Sequence, residues 1–251
     1  MKKLDIDEIN SFVNTKIVLF HETRLNCLTG LKLKKLISKN PYLFKAKNIN
    51  KASELIEGLL DAFLSSSEEK IFGDFLEELA IFISEKTSGG FKSATTGIDL
   101  EILREDIHYL ISIKSGPNWG NNSQQSKLIQ DFNKATGTIK QSKKEIQVQS
   151  ILGICYGKTK TSFIHGYWKL VGQNFWYFIS GEENLYKEII EPIGYRAKEH
   201  NDQFNFNKSN IINNFTKDFI SSFCESDGSI NWEKLIEFNS GNLDLESIVL
   251  K

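Results

Sequence analysis

The sequence predicts an α/β fold, with a core of strands and helices and additional helices at both ends. Three observations support this prediction. Apolar residues recur at helical spacing from Leu4 to Lys86, the hydrophobic period changes to two between Gly97 and Lys114, and an apolar strand follows a polar helix after that. The resulting order of helix, hairpin, helix and strand is typical of an α/β core.

The N-terminal region carries the helical period in several segments. Asp5 to Phe20 and Ala52 to Leu64 have apolar residues at spacings of three and four. Ser67, followed by two glutamates, has the composition of a helix start and leads into an apolar run over 71–83. We therefore expect three or four helices before the first strand.

A β-hairpin is predicted after the break at Gly89 and Gly90. Apolar and polar residues alternate over 98–102 and again over 107–114, which is the period of a half-buried strand. A glycine-containing loop over 116–120 then leads to a polar helix from about Gln124 to Lys144.

A strongly apolar strand is predicted from Ile146 to Tyr156, and helix predominates from there to the C-terminus, over 185–198, 211–223 and 232–238. Phe175, Trp176 and Trp168 are predicted to be core residues.

The chain is predicted to be a single catalytic domain over 1–251. Within it we expect a helical part over 1–65, which could equally form a dimerisation layer, a catalytic core over 66–160 and a mainly helical part over 161–251.

Composition narrows the class of protein. The formal charge is −1, from 31 basic and 32 acidic residues, so a nucleic-acid binder would have to segregate its charges onto different faces. Cys27, Cys155 and Cys224 are widely spaced, which supports neither a disulfide framework nor a zinc site. No signal peptide and no apolar stretch of membrane-spanning length is evident, so we expect a soluble, cytoplasmic protein.

Asp99 and Lys114 are the strongest candidates for catalytic residues. Hydrolysis of a phosphodiester needs carboxylates to hold a metal and a cation near the attacking water. In the predicted hairpin, Asp99 can face the same side as Ser112 and Lys114, because residues two apart on a strand share a face. The apolar residues predicted to fill the opposite face are Ile98, Leu100, Ile111 and Ile113.

Glu77 is the best candidate for a further acid. Gly73, Glu77 and Ala80 recur at helical spacing and predict a seam of small residues where the helix approaches the sheet. Glu78 is the second choice, since it points about 100° around the helix. Taken singly, each of these charged residues is more typical of a solvated surface, so the prediction depends on their joint arrangement.

The residues also resemble a known family. The segments TGIDLE (96–101) and LISIKSGPNWG (110–120) are similar to the catalytic segment of the PmeII-type restriction endonucleases. Further similar segments are NPYLF (40–44), FGDFLE (72–77), CYG (155–157), FWYFISG (175–181) and SDGSINW (226–232). The resemblance runs from about Asn40 to Trp232.

This resemblance implies a type II restriction endonuclease of the PD-(D/E)xK superfamily, with a restriction-endonuclease-like core in which helices flank a mixed sheet. It implies a homodimer that uses Mg²⁺ to cleave both strands of a short palindrome in double-stranded DNA. It also implies a companion DNA methyltransferase in the same system. The relatives cut interrupted GG/CC palindromes. Asp99 would be the central metal ligand, Lys114 would orient or activate water, and Glu77 would support the metal.

One position departs from the superfamily pattern. The residue two before Lys114 is usually Asp or Glu and is Ser112 here. A hydroxyl is a poorer ligand for a hard cation than a carboxylate. Ser112 could hold a metal-bound water while Glu77 or Glu101 supplies the missing charge, or the site could bind one metal weakly.

A polar stretch after Lys114 is predicted to contact DNA, because amides and lysines suit base edges and phosphates and a helix N-terminus can take a phosphate. The predicted DNA-binding residues are Asn118, Trp119, Asn121, Asn122, Ser123, Gln124, Lys127 and Lys158; Gln125 and Lys160 share the same pattern. The alternative is a polar loop that caps a helix, with solvated lysines.

Other functions remain open at this stage. A nuclease of the same fold could act in repair or on DNA junctions, and would then cut by structure instead of by sequence. A catalytically inactive DNA-binding protein is a further alternative, which Ser112 favours. A soluble α/β protein with no DNA function is favoured only by the near-neutral charge.

Overall fold

The structure, a computed structural model, describes residues 1–142 and 145–243. The chain divides into two compact units, each of which is treated by itself below. The sheet unit consists of Met1–Phe20 and Lys70–Tyr195, and the helical unit of His21–Glu69 and the described part of Arg196–Lys251.

A mixed sheet occupies the centre of the sheet unit. The strands in the described residues are β1 (Phe91–Lys92), β2 (Leu100–Arg104), β3 (Ile107–Lys114), β4 (Gln147–Ile154), β5 (Ser162–Ile164) and β6 (Tyr167–Val171). Their order is β1-β2-β3-β4-β6-β5, in which the β3–β4 and β4–β6 pairs are parallel and the others antiparallel. The predicted α/β fold with a mixed sheet, flanking helices and additional helices is confirmed.

The helices precede, connect and follow these strands. Their bounds are α1 (Ile6–Thr29), α2 (Leu33–Leu36), α3 (Pro41–Ala46), α4 (Ala52–Ser88), α5 (Asn122–Ser142), α6 (Gln173–Ser180), α7 (Leu185–Glu188), α8 (Ile190–Ile193), α9 (Ala197–Phe223) and α10 (Trp232–Ser240). Across the described ranges, none of them combines the length and the apolar character needed to cross a membrane.

Helices cover both faces of the sheet. On one face, Ile111 and Ile113 of β3 pack with α1, α4 and α6 residues such as Leu79 and Phe175. On the other face, Leu110 packs with α5 residues, including Leu128 and Phe132. Each such buried aliphatic or aromatic side chain contributes about 1.5–3 kcal/mol relative to exposure. The two faces of β3 are therefore fixed by burial, which also fixes where Ser112 and Lys114 lie.

The helical unit has its own core. Leu28, Leu36, Leu60 and Phe219 are fully buried in it, and further members come from α3 and α10. Within this unit His21 and His200 stack with ring centroids 4.5 Å apart.

One predicted helix boundary was wrong. The segment from Ala52 to Ser88 is one continuous helix, so Ser67 does not start a new one. The stretch contains no proline, and the hydroxyl of the neighbouring Ser66 donates to the carbonyl of Ala62 within the helix. A serine whose hydroxyl bonds back to its own helix is compatible with helix continuation.

Strands β5 and β6 were missed, and Trp168 was wrongly placed in the core. Both strands are short, and the residues of β6 do not alternate in burial. They form a hairpin whose turn, His165 and Gly166, has positive φ at both residues, the conformation that two-residue hairpin turns require. Trp168 lies on this hairpin with 39% of its surface exposed, whereas Phe175 and Trp176 are buried as predicted.

Ile98 was predicted on the wrong face. Leu100, Ile111 and Ile113 share one apolar cluster, but Ile98 packs in the opposite cluster with Leu110. The reason is that β2 begins only at Leu100, so strand alternation does not extend back to Ile98.

Candidate active site at the end of strand β3

Asp99 lies immediately before β2, beside the last residues of β3. Its backbone nitrogen donates to the carbonyl of Ile111 over 2.9 Å. Its Oδ2 atom accepts hydrogen bonds from the backbone nitrogen of Ile113 over 2.6 Å and from the hydroxyl of Ser112 over 3.1 Å. Asp99 and Ser112 therefore face the same side of the hairpin, and the carboxylate is held by directional bonds.

Lys114 is the last residue of β3 and lies next to Asp99. Its Nζ atom is 3.7 Å from Oδ2 of Asp99 and donates to the carbonyl of Ile113 over 2.7 Å. The ammonium group also lies over the ring of Trp119, 5.9 Å from the centroid. A third of the side chain is exposed, so the cation is both oriented and accessible from solvent.

Glu77 joins this cluster from α4. The helix comes close to the strand end as the small-residue seam predicts, because a Cβ atom on Gly73 would lie 3.6 Å from the side chain of Ser115. Burial, and then the charge of Asp99, raises the pKa of Glu77, while Lys92 and Lys114 act in the opposite direction. Glu77 and Asp99 are thus close enough to repel each other electrostatically.

The two alternative acids are engaged elsewhere. Glu78 forms an ion pair with Lys16 over 2.7 Å and is half-exposed. Glu101 is buried, and its two oxygens are bonded to Ser93 and His108. The charge of Asp99 raises the pKa of Glu77, whereas Glu78 and Glu101 are held by the partners just named.

The donor set suits a magnesium ion. Mg²⁺ is usually bound by one or two carboxylates together with water and substrate phosphate, since it gives up its waters reluctantly. Asp99 and Glu77 supply two repelling carboxylates, and a divalent cation between such groups would remove the repulsion. Within residues 1–142 and 145–243 no cluster of three or more His, Cys, Asp or Glu side chains is placed to hold a metal.

A cavity of about 620 Å³ opens beside these residues. Its walls are formed by the loop before β2, the end of β3 and the first turns of α5, and it is lined by Gly97, Asp99, Ser112, Lys114, Trp119, Gly120, Ser123, Gln124, Lys127, Leu128 and Asp131. The fold therefore brings four of the predicted DNA-binding residues next to the catalytic candidates.

The start of α5 also has a structural role. The side-chain oxygen of Asn121 accepts from the hydroxyl of Ser123 and the nitrogen of Gln124, and the side chain of Gln124 accepts from the nitrogen of Asn121. This reciprocal arrangement is a capping box, which satisfies backbone donors at a helix start. Asn121 and Gln124 thus cap α5, as the alternative interpretation of this stretch expected.

The remaining predicted residues lie apart from the cavity lining. Asn118 and Asn122 flank Trp119 and Asn121 in the chain but do not line the cavity. Lys158 lines a different, mainly apolar cavity of about 580 Å³, together with Tyr156 and Trp176.

Asp131 was not among the residues predicted from the sequence. Its Oδ1 atom pairs with Nζ of Lys127 over 2.6 Å, and it faces Gly97, two residues before Asp99. The four-residue spacing of Lys127 and Asp131 is the pattern that could have indicated this pair.

A comparison with families of known proteins finds a match. The family described as "Type II restriction endonuclease EcoO109I" matches residues 7–201, more than three quarters of the chain. No curated protein matches. The matched range contains Glu77, Asp99, Ser112 and Lys114.

Proposed function

The chain belongs to the family of the type II restriction endonuclease EcoO109I, and we propose on that basis that it is a Mg²⁺-dependent endonuclease that cleaves double-stranded DNA at a short palindrome. The observation that carries this proposal is the position of Asp99 beside Lys114 at the end of β3, with Glu77 on α4 near enough for the charge of Asp99 to raise its pKa.

Each of the three residues has a distinct part in this proposal. Asp99 and Glu77 would hold the metal through their carboxylates. Lys114, with its ammonium group 3.7 Å from Asp99, would orient the attacking water and stabilise negative charge on the phosphate. When bound, Mg²⁺ supplies Lewis acidity toward the phosphate and lowers the pKa of water.

Ser112 has a supporting part. Its hydroxyl donates to Asp99, so it restrains the carboxylate in place of supplying a second negative charge. The charge that the superfamily pattern places at this position would come from Glu77, on a different element. This assignment explains how a serine is compatible with catalysis.

The DNA would lie along the cavity beside α5. Lys127 and Trp119 line that cavity with Asp99 and Lys114, and the positive end of the α5 dipole suits a phosphate. We propose contacts to DNA from Asn118, Trp119, Asn121, Asn122, Ser123, Gln124 and Lys127. Lys158 would contact a phosphate farther along the same end of the sheet, since it lies in the loop after β4, the parallel neighbour of β3.

The family suggests the remaining features. A palindromic site implies a homodimer whose twofold axis coincides with that of the DNA. A restriction enzyme of this kind acts in the cytoplasm beside a DNA methyltransferase that protects the host. The resemblance to enzymes cutting interrupted GG/CC sites suggests a recognition sequence of that type.

The experiment that tests the proposal is digestion of large unmethylated DNAs by the purified chain, with and without Mg²⁺. The wild type is compared with Asp99→Ala and Lys114→Ala. Asp202→Ala and Lys198→Ala serve as matched controls, because both residues are exposed on α9 in the helical unit. We expect discrete fragments from the wild type and both controls, only with metal, and none from the two site variants.

The result also separates the alternatives. Fragments without discrete ends would indicate a nuclease that recognises DNA structure. Salt-sensitive duplex binding with no cleavage under any condition would indicate a DNA-binding protein without catalysis, an alternative that Ser112 favours because it removes one carboxylate from the usual metal site. DNA that stays intact and unbound would overturn the proposal.

A further inference from the structure

Glu101 is a buried carboxylate with both oxygens bonded. Its Oε1 atom accepts from the hydroxyl of Ser93 over 2.6 Å, and its Oε2 atom lies 2.7 Å from Nε2 of His108. Glu101 and His108 are 8% and 7% exposed. A carboxylate is costly to bury unless such bonds satisfy it, and the bonds fix its direction.

Ser93 connects this carboxylate to the turn that leads into Asp99. Its hydroxyl oxygen accepts from the nitrogen of Thr95 over 2.9 Å, and its backbone nitrogen donates to the carbonyl of Asp99 over 3.2 Å. Within the same turn the nitrogen of Ile98 donates to the carbonyl of Thr95 over 3.1 Å. Ser93 therefore binds both ends of the segment between itself and Asp99.

The backbone of Asp99 is held between two partners. Ile111 of β3 accepts from its nitrogen, and Ser93 donates to its oxygen. The first partner belongs to a central strand whose side chains are buried. The second lies just after the two-residue strand β1 and depends on Glu101 for the orientation of its side chain.

We propose that Ser93 and Glu101 are positioning residues for the Asp99 carboxylate, with His108 orienting Glu101 in turn. The inference rests on the proposed function of Asp99 as a metal ligand. Partners that orient a metal ligand change metal affinity when removed, typically by about 10–100-fold. Ser93 and Glu101 thus act on metal binding without touching the metal.

The test uses the full chain and Mn²⁺ alone, with bound metal measured from the loss of the free-ion EPR signal. Ser93→Ala and Glu101→Ala are expected to raise the dissociation constant about tenfold. Glu101→Gln keeps an oxygen for His108 and an amide that can donate to Ser93, so its affinity should stay within about threefold of wild type. Ser150→Ala is the matched control, a buried serine of β4.

A second measurement separates positioning from a general loss of stability. The Mg²⁺ concentration for half-maximal DNA cleavage should rise by the same factor in Ser93→Ala and Glu101→Ala, while the rate at saturating Mg²⁺ recovers. All measurements are made well below the melting temperature of each variant.

The outcomes are distinct. Wild type that binds Mn²⁺ and cleaves DNA, with Ser93→Ala and Glu101→Ala matching its metal affinity, overturns this inference and leaves the proposed function intact. A Glu101→Gln variant that binds Mn²⁺ as weakly as Glu101→Ala does would also overturn this inference and leave the proposed function intact. Wild type that neither binds metal nor cleaves overturns the proposed function and this inference with it.

Discussion

The hydroxyl of Ser112 donates a hydrogen bond to Oδ2 of Asp99 over 3.1 Å. Ser112 is 2% exposed, so its hydroxyl has little access to water as an alternative partner. At the position where the superfamily pattern that the sequence resembles has an acid, this chain has a residue whose hydroxyl bonds to the neighbouring carboxylate.

Replacing Ser112 by alanine should weaken the metal site without abolishing it. The variant removes one of the hydrogen bonds that hold Asp99, so we expect an increase of about tenfold in the Mg²⁺ concentration for half-maximal cleavage. Duplex binding in Ca²⁺ should be unchanged, as measured by gel shift. An unaltered Mg²⁺ dependence would show that the hydroxyl does not act on the metal ligand.

Glu77→Gln should stabilise the metal-free protein at neutral pH. The folded-state pKa of Glu77 is raised, mainly by burial, so the unfolded chain releases its proton at lower pH than the folded chain does. The free energy of unfolding therefore falls as the pH rises from the ordinary glutamate pKa through the folded-state pKa of Glu77. The glutamine of Glu77→Gln stays neutral and avoids this loss.

The melting temperature without metal measures that effect, and we expect an increase of about 2 °C for Glu77→Gln. Glu78→Gln is the control on the next residue, and because Glu78 pairs with Lys16 it should not gain stability. Stabilisation by added Mg²⁺ should be lost only in Glu77→Gln. Equal responses of the two variants would contradict a special role for Glu77.

Gly97→Ala should impair folding and cleavage together. Gly97 has φ of +85°, and an added Cβ would lie 2.4 Å from Oδ2 of Asp131. We expect the free energy of unfolding to fall by about 1–3 kcal/mol. Cleavage should also be slower, because this turn positions Asp99.

Gly137→Ala is the matched control for that variant. Gly137 lies within α5, and an added Cβ would meet nothing within 4 Å. This substitution should stabilise the protein by about 0.5–1 kcal/mol, because glycine loses more conformational freedom in a helix than alanine does. Urea unfolding of both variants provides the comparison, and a stable, active Gly97→Ala would refute the predicted clash.

Lys127→Ala should reduce the salt dependence of DNA binding. A lysine that neutralises one phosphate contributes about 0.9 to the slope of log affinity against log salt concentration. In the free protein Lys127 pairs with Asp131 over 2.6 Å, so it must exchange this partner for DNA. Lys140→Ala, in the last turn of the same helix, should leave the slope unchanged. Equal slopes for Lys127→Ala and wild type would exclude the contact.

The helical unit should lose stability on acidification. Burial, followed by the charges of His200 and Arg24, lowers the pKa of His21 to about 4, against 6.5 in the unfolded chain. The unfolded state therefore binds more protons between these values, so stability is complete above about pH 6.5 and is lost as the pH falls toward 4.

His21→Phe should remove that part of the pH dependence while keeping an aromatic ring against His200. The free energy of unfolding, measured by urea at pH 7 and at pH 4.5, should differ less in this variant than in wild type. His165→Asn, at an exposed turn, should behave as wild type does. An unchanged difference in His21→Phe would mean that other groups cause the acid effect.

Much of the fold follows from local patterns. The change of period near Gly97 marks the hairpin, and the predicted strand over 107–114 agrees with β3 to the residue. Gly89 and Gly90 mark the end of α4 at Ser88. These features depend on residues close together in the chain, so periodicity and turn composition are sufficient to predict them.

The sequence ranked Glu77 first among the acids, and tertiary structure shows how the partners of the three acids differ. Glu77 and Glu78 are neighbours on one helix, yet Glu78 pairs with Lys16, whereas the charge of Asp99 raises the pKa of Glu77. Glu101 lies two residues from Asp99, yet Ser93 and His108 occupy both of its oxygens. These partners lie on other elements of the fold, so tertiary packing brings them to each carboxylate.

The sequence by itself predicted the α/β order of elements and the common side of Asp99, Ser112 and Lys114 in the hairpin, because both follow from the strand period. Tertiary structure alone decided that α4 continues past Ser67, that Ile98 packs with Leu110 on the face of β3 that carries the site, and that Asp131 lines the cavity. The physical reason is that side-chain burial and charge pairing depend on distances between elements far apart in the chain, which no local period encodes.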